Sequence, residues 1–273
     1  MNQYLALFIL LCGVSTSKVL ATLQQPDVLI NGVDTAYIFN TSSPLRQYLR
    51  TEAVRAAMFG NKPGCVMTSC WDGFYAVWRI IDNQLYLTQV LSCCFYEDSI
   101  KADLKALFGN SVKNGMVKAD WLSGYIVVSH GQRLFYASTV AEYVVYAKQT
   151  KITFQHGKCI ATQTYDNSKS KTSALTHDSR KLQDFLCQQI NWDDLPLPEQ
   201  TIKVGVYVIF KEGVIDSVRV VKSYDAIFDK EAIRVIKNIP EWEVVYRMGE
   251  PLRTAWHFPV IFSKEQREKY KKW

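Results

Sequence analysis

Ile202-Lys203-Val204-Gly205-Val206-Tyr207-Val208-Ile209-Phe210 and Leu252-Arg253-Thr254-Ala255-Trp256-His257-Phe258-Pro259-Val260-Ile261-Phe262 carry the clearest period in the chain. Ile202, Val204, Val206, Val208 and Phe210 recur at every second position, as do Leu252, Thr254, Trp256, Phe258, Val260 and Phe262. Successive strand side chains point to opposite faces, so each segment reads as a strand with one buried face. Residues 214–221 read as a third strand, whose register depends on the turn before it. With Glu212-Gly213 alone as the loop, Ser217 and Arg219 would oppose Val208 and Val206. A loop of Lys211-Glu212-Gly213 instead sets Val218 against Val206 and Val220 against Val204, keeping apolar side chains on one face, so it is the expected register. A helix over 230–238 follows, capped by Asp229, with Ala232, Ile233, Ile236 and Ile239 facing inward and Pro240 helping to stop it. Strand, strand, helix, strand packs most simply as a three-stranded antiparallel sheet covered by one helix.

Upstream of this unit, Leu195-Pro196-Leu197-Pro198 marks a boundary, preceded by a helix over 179–190 carrying Leu182, Phe185, Leu186 and Ile190. Residues 166–177 have loop composition. Residues 27–165 read mostly as strands. Asn31-Gly32 suits a tight hairpin, and Phe74, Ala76, Trp78 and Ile80 share one face before Asp82-Asn83 turns the chain into Leu85-Tyr86-Leu87. Further strands are expected at 117–121, 125–128, 134–136, 143–146, 152–154 and 159–162, with His130-Gly131 and His156-Gly157 in turns. Two helices are expected in this block. One spans 44–58, between Ser43-Pro44 and Gly60, with Leu45, Leu49 and Ala56 inward. The other spans 99–108, with Ile100, Leu104, Leu107 and Phe108, and stops at Gly109. The expected class is α+β: a β-rich domain at 27–165, a linker with helix at 166–198, a small β-β-α-β domain at 199–263 and a basic tail at 264–273.

Length and composition fit a globular chain: 273 residues, 48% hydrophobic and 21% charged. No apolar run approaches the roughly 18 residues of a spanning helix, so no integral membrane segment is expected. The net charge of +6 falls largely in residues 140–181 and 264–273, while 199–263 balances to zero. The surplus thus reads as a polar stretch and a solvated tail, and nucleic acid is not an expected partner. The first 21 residues read as an export signal: an apolar core over 4–14, then small residues at Ser15, Ser17 and Ala21. Cys12 belongs to that core, a lipid-attached form being the minor alternative. Export leaves Cys65, Cys70, Cys93, Cys94, Cys159 and Cys187, an even set compatible with disulfides. Cys65 with Cys70, or either with Cys93-Cys94, are the first candidates, and free buried thiols are the other reading. A four-thiolate metal site would want C-x-x-C knuckles that are lacking, so no metal is expected.

Catalytic signatures are missing as well. The four histidines (His130, His156, His177 and His257) form no H-E-x-x-H, and the chain has no G-x-S-x-G elbow and no phosphate-binding glycine loop. Cys159 near His156 lacks an orienting third group, and Asp193-Asp194 establishes no acid-base pair. No catalytic residue and no cofactor is therefore expected. Trp71, Gly73, Tyr75, Trp78, Leu85-Tyr86-Leu87, Phe108, Ala119, Trp121, Gly124 and Gly131 resemble the aromatic signature of an uncharacterised bacterial family, which implies no activity. Tryptophans in strands are expected to be core in preference to a glycan or peptide platform.

The last block carries a more informative set. Val206-x-Val208, Glu212-Gly213-x-Ile215-x-x-Val218-x-Val220, Ser223, Asp229-x-Glu231-Ala232-x-Arg234-Val235, Ile239-Pro240-x-Trp242, Gly249-x-Pro251 and Phe258-Pro259-x-x-Phe262 together resemble the C-terminal domain of TonB family proteins. The resemblance covers residues 200–263, and the family's membrane anchor, long Pro-rich spacer and Tyr-Pro entry are not found upstream. It implies a periplasmic recognition module in which the final strand pairs with an extended segment of an outer-membrane transporter by strand addition. The matching positions are Leu252, Arg253, Thr254, Ala255, Trp256, His257 and Phe258. Arg253, Ala255 and His257 would face the partner, and Pro259, which cannot donate to a ladder, limits the pairing. The bland reading of this strand is a solvated edge with Arg253 discouraging aggregation. The alternative for the whole chain is a secreted glycan-binding or hydrolase-like protein whose C-terminal module is purely structural.

Overall fold

A computed structural model describes residues 24–39, 43–49, 58–60, 62, 65, 67–70, 72–137 and 144–271. The expected export signal, Trp71 and the body of the helix expected at 44–58 lie outside these residues. That helix is described only at its start, where Pro44–Gln47 forms a 3-10 turn and the Leu45 amide donates to Ser43 Oγ at 3.2 Å.

The first block contains nine strands: β1 (Asp27–Asn31), β2 (Asp34–Ile38), β3 (Phe74–Ile81), β4 (Gln84–Ser92), β5 (Val112–Lys113), β6 (Met116–Lys118), β7 (Gly124–Tyr136), β8 (Val144–Gln155) and β9 (Lys158–Asp166). They form one sheet ordered β3-β1-β2-β7-β8-β9-β4-β6-β5, and β3 also pairs with β4. That last pairing closes seven of the strands into a ring, with β6 and β5 appended outside it. The ring has two thin seams, Tyr37 opposite Ser129 between β2 and β7, and Gln84 opposite Lys158 between β4 and β9. At the second seam Leu85 N donates to Gly157 O (2.8 Å), Gly157 N to Leu122 O (2.8 Å) and Cys159 N to Asn83 O (2.7 Å). A Cβ on Gly157, whose φ is +72°, would lie 2.5 Å from Ala119 O, so only glycine fits there.

The alternation read in the sequence fills the ring. Phe74, Ala76, Trp78, Leu85, Leu87, Ile126, Val128, Ile152 and Phe154 form one buried cluster. Trp121 stacks on Phe108 and gives its indole N–H to Pro44 O at 3.2 Å. The tryptophans at 78, 192 and 242 are fully buried and those at 121 and 256 half-buried, as expected for core residues.

Several local expectations are corrected. Of the helix expected at 99–108 only α2 (Leu104–Phe108) forms, started by the Asp103 cap, and a separate short helix before it, α1 (Phe95–Asp98), ends where Ser99 takes a left-handed conformation. His130-Gly131 is not a turn. The positive φ of Gly131 permits a bulge, and β7 runs on through it, just as β8 continues through 147–151. The first hairpin turns at Gly32-Val33, one residue later than Asn31-Gly32. The strand expected at 117–121 is the shorter β6. Part of the positive surplus at 140–181 sits on strands β8 and β9, as Lys148, Lys151 and Lys158, and not in an irregular polar stretch.

The second block contains α3 (Ser179–Gln189), β10 (Ile202–Lys211), β11 (Val214–Lys222), α4 (Ala226–Lys237), a small hairpin of β12 (Tyr246–Arg247) and β13 (Glu250–Pro251), β14 (Arg253–Phe262) and α5 (Lys264–Tyr270). The sheet is β11-β10-β14, antiparallel throughout. Both α3 and α4 pack on its apolar face, through Leu182 and Leu186 and through Phe228, Ala232, Val235 and Ile236. The molecule is α+β, as expected. The register of β11 is not: Val206 faces Val220 and Val208 faces Val218. Glu212 and Gly213, both at positive φ, make a two-residue turn, and a bulge at Asp216 restores the apolar face that a bare two-residue turn would lose. Helix α4 begins a turn early. Asp225 caps it by accepting from the amides of Ile227 (2.9 Å) and Phe228 (3.0 Å), while Asp229 accepts from Ser223 Oγ at 2.5 Å. The basic tail is helix α5, anchored by Arg267 Nη1 on Leu195 O (3.0 Å) and the Tyr270 hydroxyl on Asp184 (2.5 Å).

The two blocks are joined through the β12–β13 hairpin. Lys171 and Val244 exchange backbone hydrogen bonds of 2.9 and 2.8 Å. At the hairpin tip, Met248 N donates to Gln149 Oε1 (2.8 Å) and Gly249 N to Asn167 Oδ1 (3.0 Å). Gln149 and Asn167 are themselves buried and linked by a 3.0 Å bond. Below the tip, Val245 and Leu252 pack on Val145 and Ala137 of the ring.

Candidate strand-docking edge

In the three-stranded sheet β10 is central, and β14 pairs with it from Arg253 opposite Lys211 to Phe262 opposite Ile202 without a register shift. Among the described residues nothing pairs with the other side of β14. Pro259, opposite Gly205, has no N–H to give, so its place in the ladder is one whose backbone groups point away from β10. Period two then turns the N–H groups of Arg253, Ala255, His257 and Ile261 to the open edge, with a gap at Pro259. The same odd positions carry the outward side chains: Arg253 and His257 are exposed, whereas Thr254, Phe258, Val260 and Phe262 are buried.

Arg253, Ala255 and His257 share the open edge and the outer face. Thr254 is buried, with its hydroxyl 3.5 Å from Phe210 O. Trp256 is half-buried, 5.9 Å from the Trp242 ring and 5.2 Å from that of Phe258. Leu252 does not belong to the edge: its amide donates to Val245 O at 2.7 Å and its side chain packs on the ring. The N–H groups of Thr254, Trp256 and Phe258 belong to the β10 side, so these residues support the edge from within.

The outer face has features that alternation alone did not disclose. Arg253 reaches across β10 to Asp216 on β11, its Nε 2.8 Å from Oδ2, and forms an ion pair there. Asp216 is the bulge residue, so the bulge that corrects the register also aims this carboxylate. Beside it, Tyr207 stands opposite His257 and under the Arg219 guanidinium, 4.9 Å from the ring centroid. Gly205 leaves room for His257, whose Nε2 would lie 3.3 Å from a Cβ at that position. At the far end of the inner layer, Glu231 is nearly buried. Burial pushes its carboxyl up, but hydrogen bonds from Arg234 and from the Asn191 amide (2.6 Å) outweigh this and hold it below the usual range.

The cysteines divide in two. Cys65 pairs with Cys94 and Cys70 with Cys93, at Cα separations of 5.8 and 6.0 Å. All four sulfurs that a thiolate metal site would need are thereby consumed. Cys159 and Cys187 are free thiols. Cys159 Sγ turns to Ala161 O at 3.9 Å and the His156 amide donates to Ser123 Oγ at 3.0 Å. Cys187 is buried, which raises its thiol pKa. His130 lies on β7, 2.8 Å from Thr150 Oγ1, its basicity lowered chiefly by burial. Among the described residues no helix is long and apolar enough to cross a membrane.

Comparisons with family models, curated proteins and solved structures found no match to this chain.

Proposed function

We propose that this chain is a non-enzymatic binding or adaptor protein of the bacterial periplasm, whose strand β14 receives an extended protein segment by strand addition. The observation that carries this reading is the one-sided pairing of β14: its outward N–H groups at Arg253, Ala255 and His257 are free to form a ladder, and Pro259 bounds it. Backbone groups supply affinity in such a mode, and Arg253 and His257 beside them supply selectivity. The resemblance of residues 200–263 to the TonB C-terminal domain points to the same strand and to a segment of an outer-membrane transporter as the partner. Two disulfides suit an oxidising compartment, in keeping with an exported chain.

The test uses a photo-crosslinking amino acid in place of His257 in cells that express the chain. The expected adduct maps to an extended segment of an envelope protein. Ala255→Pro removes an outward N–H without touching the β10 ladder, so it lowers adduct yield by about tenfold, the equivalent of about 1.4 kcal/mol, while the thermal midpoint holds. An adduct indifferent to Ala255→Pro, or none at all, overturns the proposal.

A further inference from the structure

The outer face of the three-stranded sheet is one-sided in charge. It presents Lys203 and Lys211 from β10, Arg219 and Lys222 from β11 and Arg253 from β14, all exposed, against a single carboxylate, Asp216. Residues 199–263 balance to zero in sum, so the acidic side chains that offset these cations stand elsewhere in the block.

The cations also differ from one end of the face to the other. At the Arg253 end, Arg253 is paired with Asp216, and Glu212 lies in the turn next to Lys211. Towards the other end, Lys203, Arg219 and Lys222 have no carboxylate beside them on the face. Gly205 draws this group together. A Cβ there would lie 2.9 Å from Cβ of Lys222 and 3.3 Å from His257 Nε2, so the Lys222 stem from one side and the His257 imidazole from the other close over the bare glycine. The neighbouring Arg219 guanidinium is held above the Tyr207 ring, 4.9 Å from its centroid, and so lies over β10 instead of reaching off the sheet.

This cluster stands where the open edge of β14 ends. Gly205 is opposite Pro259, and Tyr207 is opposite His257. His257 belongs to both features, its N–H on the open edge and its ring among the cations. An extended segment that pairs with Arg253, Ala255 and His257 therefore carries one outer-face side chain past the cluster, beside His257 or level with Pro259. A cation at that place is repelled, whereas an anion is attracted by several fixed charges at once.

We propose that the segment received by β14 carries a carboxylate, Asp or Glu, on its outer face at the His257 end, and that Lys203, Arg219 and Lys222 select it. This rests on the strand-addition reading of β14 and adds the chemistry of the partner to it. The partner is acidic where it meets His257 and needs no charge where it meets Arg253, because Asp216 already pairs with that guanidinium. Backbone groups of an open edge accept a strand in either direction. An acidic end fixes one direction and one register.

Isothermal titration of the full oxidised chain tests this. The probes are capped seven-residue peptides of alternating threonine and valine, with Glu, Gln or Lys in place of either the first or the last threonine. At one of these two ends the Glu peptide is expected to bind about fivefold or more tightly than its Gln counterpart at low ionic strength, and the Lys peptide more weakly, with the gap closing in high salt. Lys222→Glu should turn the order round in favour of Lys, and Lys222→Arg should keep it, with both variants holding the wild-type thermal midpoint. Glu and Gln peptides bound alike at both ends, or a Glu preference that survives Lys222→Glu, would overturn the inference. If that binding is still lost in Ala255→Pro, the edge reading stands without it. A chain that binds none of the peptides overturns the inference as well, and the crosslink at His257 then decides the edge reading separately.

Discussion

Asp27 opens β1 and is buried among apolar neighbours, where it accepts from Ser43 Oγ (2.6 Å), Ala76 N (2.8 Å) and Trp78 Nε1 (3.0 Å). These bonds tie the entry of the ring to the 3-10 turn and to β3. They favour the carboxylate, but burial prevails and pushes its pKa from 3.8 up to about 6. A folded-state pKa above the unfolded one means that the folded chain binds the proton more tightly. Asp27 therefore adds most to stability below about pH 4, and that contribution is lost as pH rises through about 6. Compared with Asp27→Asn, which cannot titrate, the wild type should lose of order 3 kcal/mol of unfolding free energy between about pH 3 and about pH 7. Urea unfolding midpoints of both proteins across that range check it. Parallel pH profiles for the two would contradict the assignment.

At the scale of elements, two nested disulfides fasten the segment 65–70 to the end of β4, where Cys93 and Cys94 are adjacent. The outer ring spans a sequence separation of 29, a loop whose closure is worth about 3 to 4 kcal/mol in the chain-entropy account. The inner ring lies inside the outer one and restricts a chain that is already restricted. Replacing Cys65 and Cys94 by serine should therefore lower the unfolding free energy by less than that figure, and removing both bridges by less than twice it, as read by guanidinium titration.

Much of the C-terminal sheet could be read from its residues, because Ile202 to Phe210 and Thr254 to Phe262 alternate without interruption and each strand has a single buried face. The bulge at Asp216 could not. The expected register and the observed one both turn Val218 and Val220 inward, and the difference between them lies in a local backbone detail with no periodic trace. The same holds for β7 and β8, which continue through irregular pairs that look like ends when only side-chain patterns are read. The edge character of β14 was legible through Pro259. The ring closure through β3 and β4 was not, since it depends on which distant strands meet. Nor was the burial of Gln149 and Asn167, polar residues whose acceptors are claimed by a hairpin 99 and 82 positions away.

At the scale of the molecule, that hairpin decides how independent the two halves are. Its tip amides end on Gln149 and Asn167, and Val245 and Leu252 sit on the ring. Asn167→Ala removes the acceptor of Gly249 N and one of two donors to Gln149 Oε1, which keeps Met248 N, so it weakens the hairpin tip by about 1 to 3 kcal/mol. The wild type should thus unfold in one calorimetric transition and Asn167→Ala in two, the C-terminal half melting separately. A single transition retained in the variant would place the coupling elsewhere, for instance in the Lys171–Val244 bridge.

The hairpin also enters β14 directly, with Leu252 fixed to Val245 immediately before the open edge begins. Tension applied to a strand seated against Arg253, Ala255 and His257 would load the ladder in shear, the direction in which all its hydrogen bonds resist together. From there the load path runs through Leu252 and the hairpin tip, by way of Asn167 and Gln149, into the closed ring and bypasses residues 172–178. A pull strong enough to matter would thus be borne by the ring, with the Gln149–Asn167 contact as its fuse.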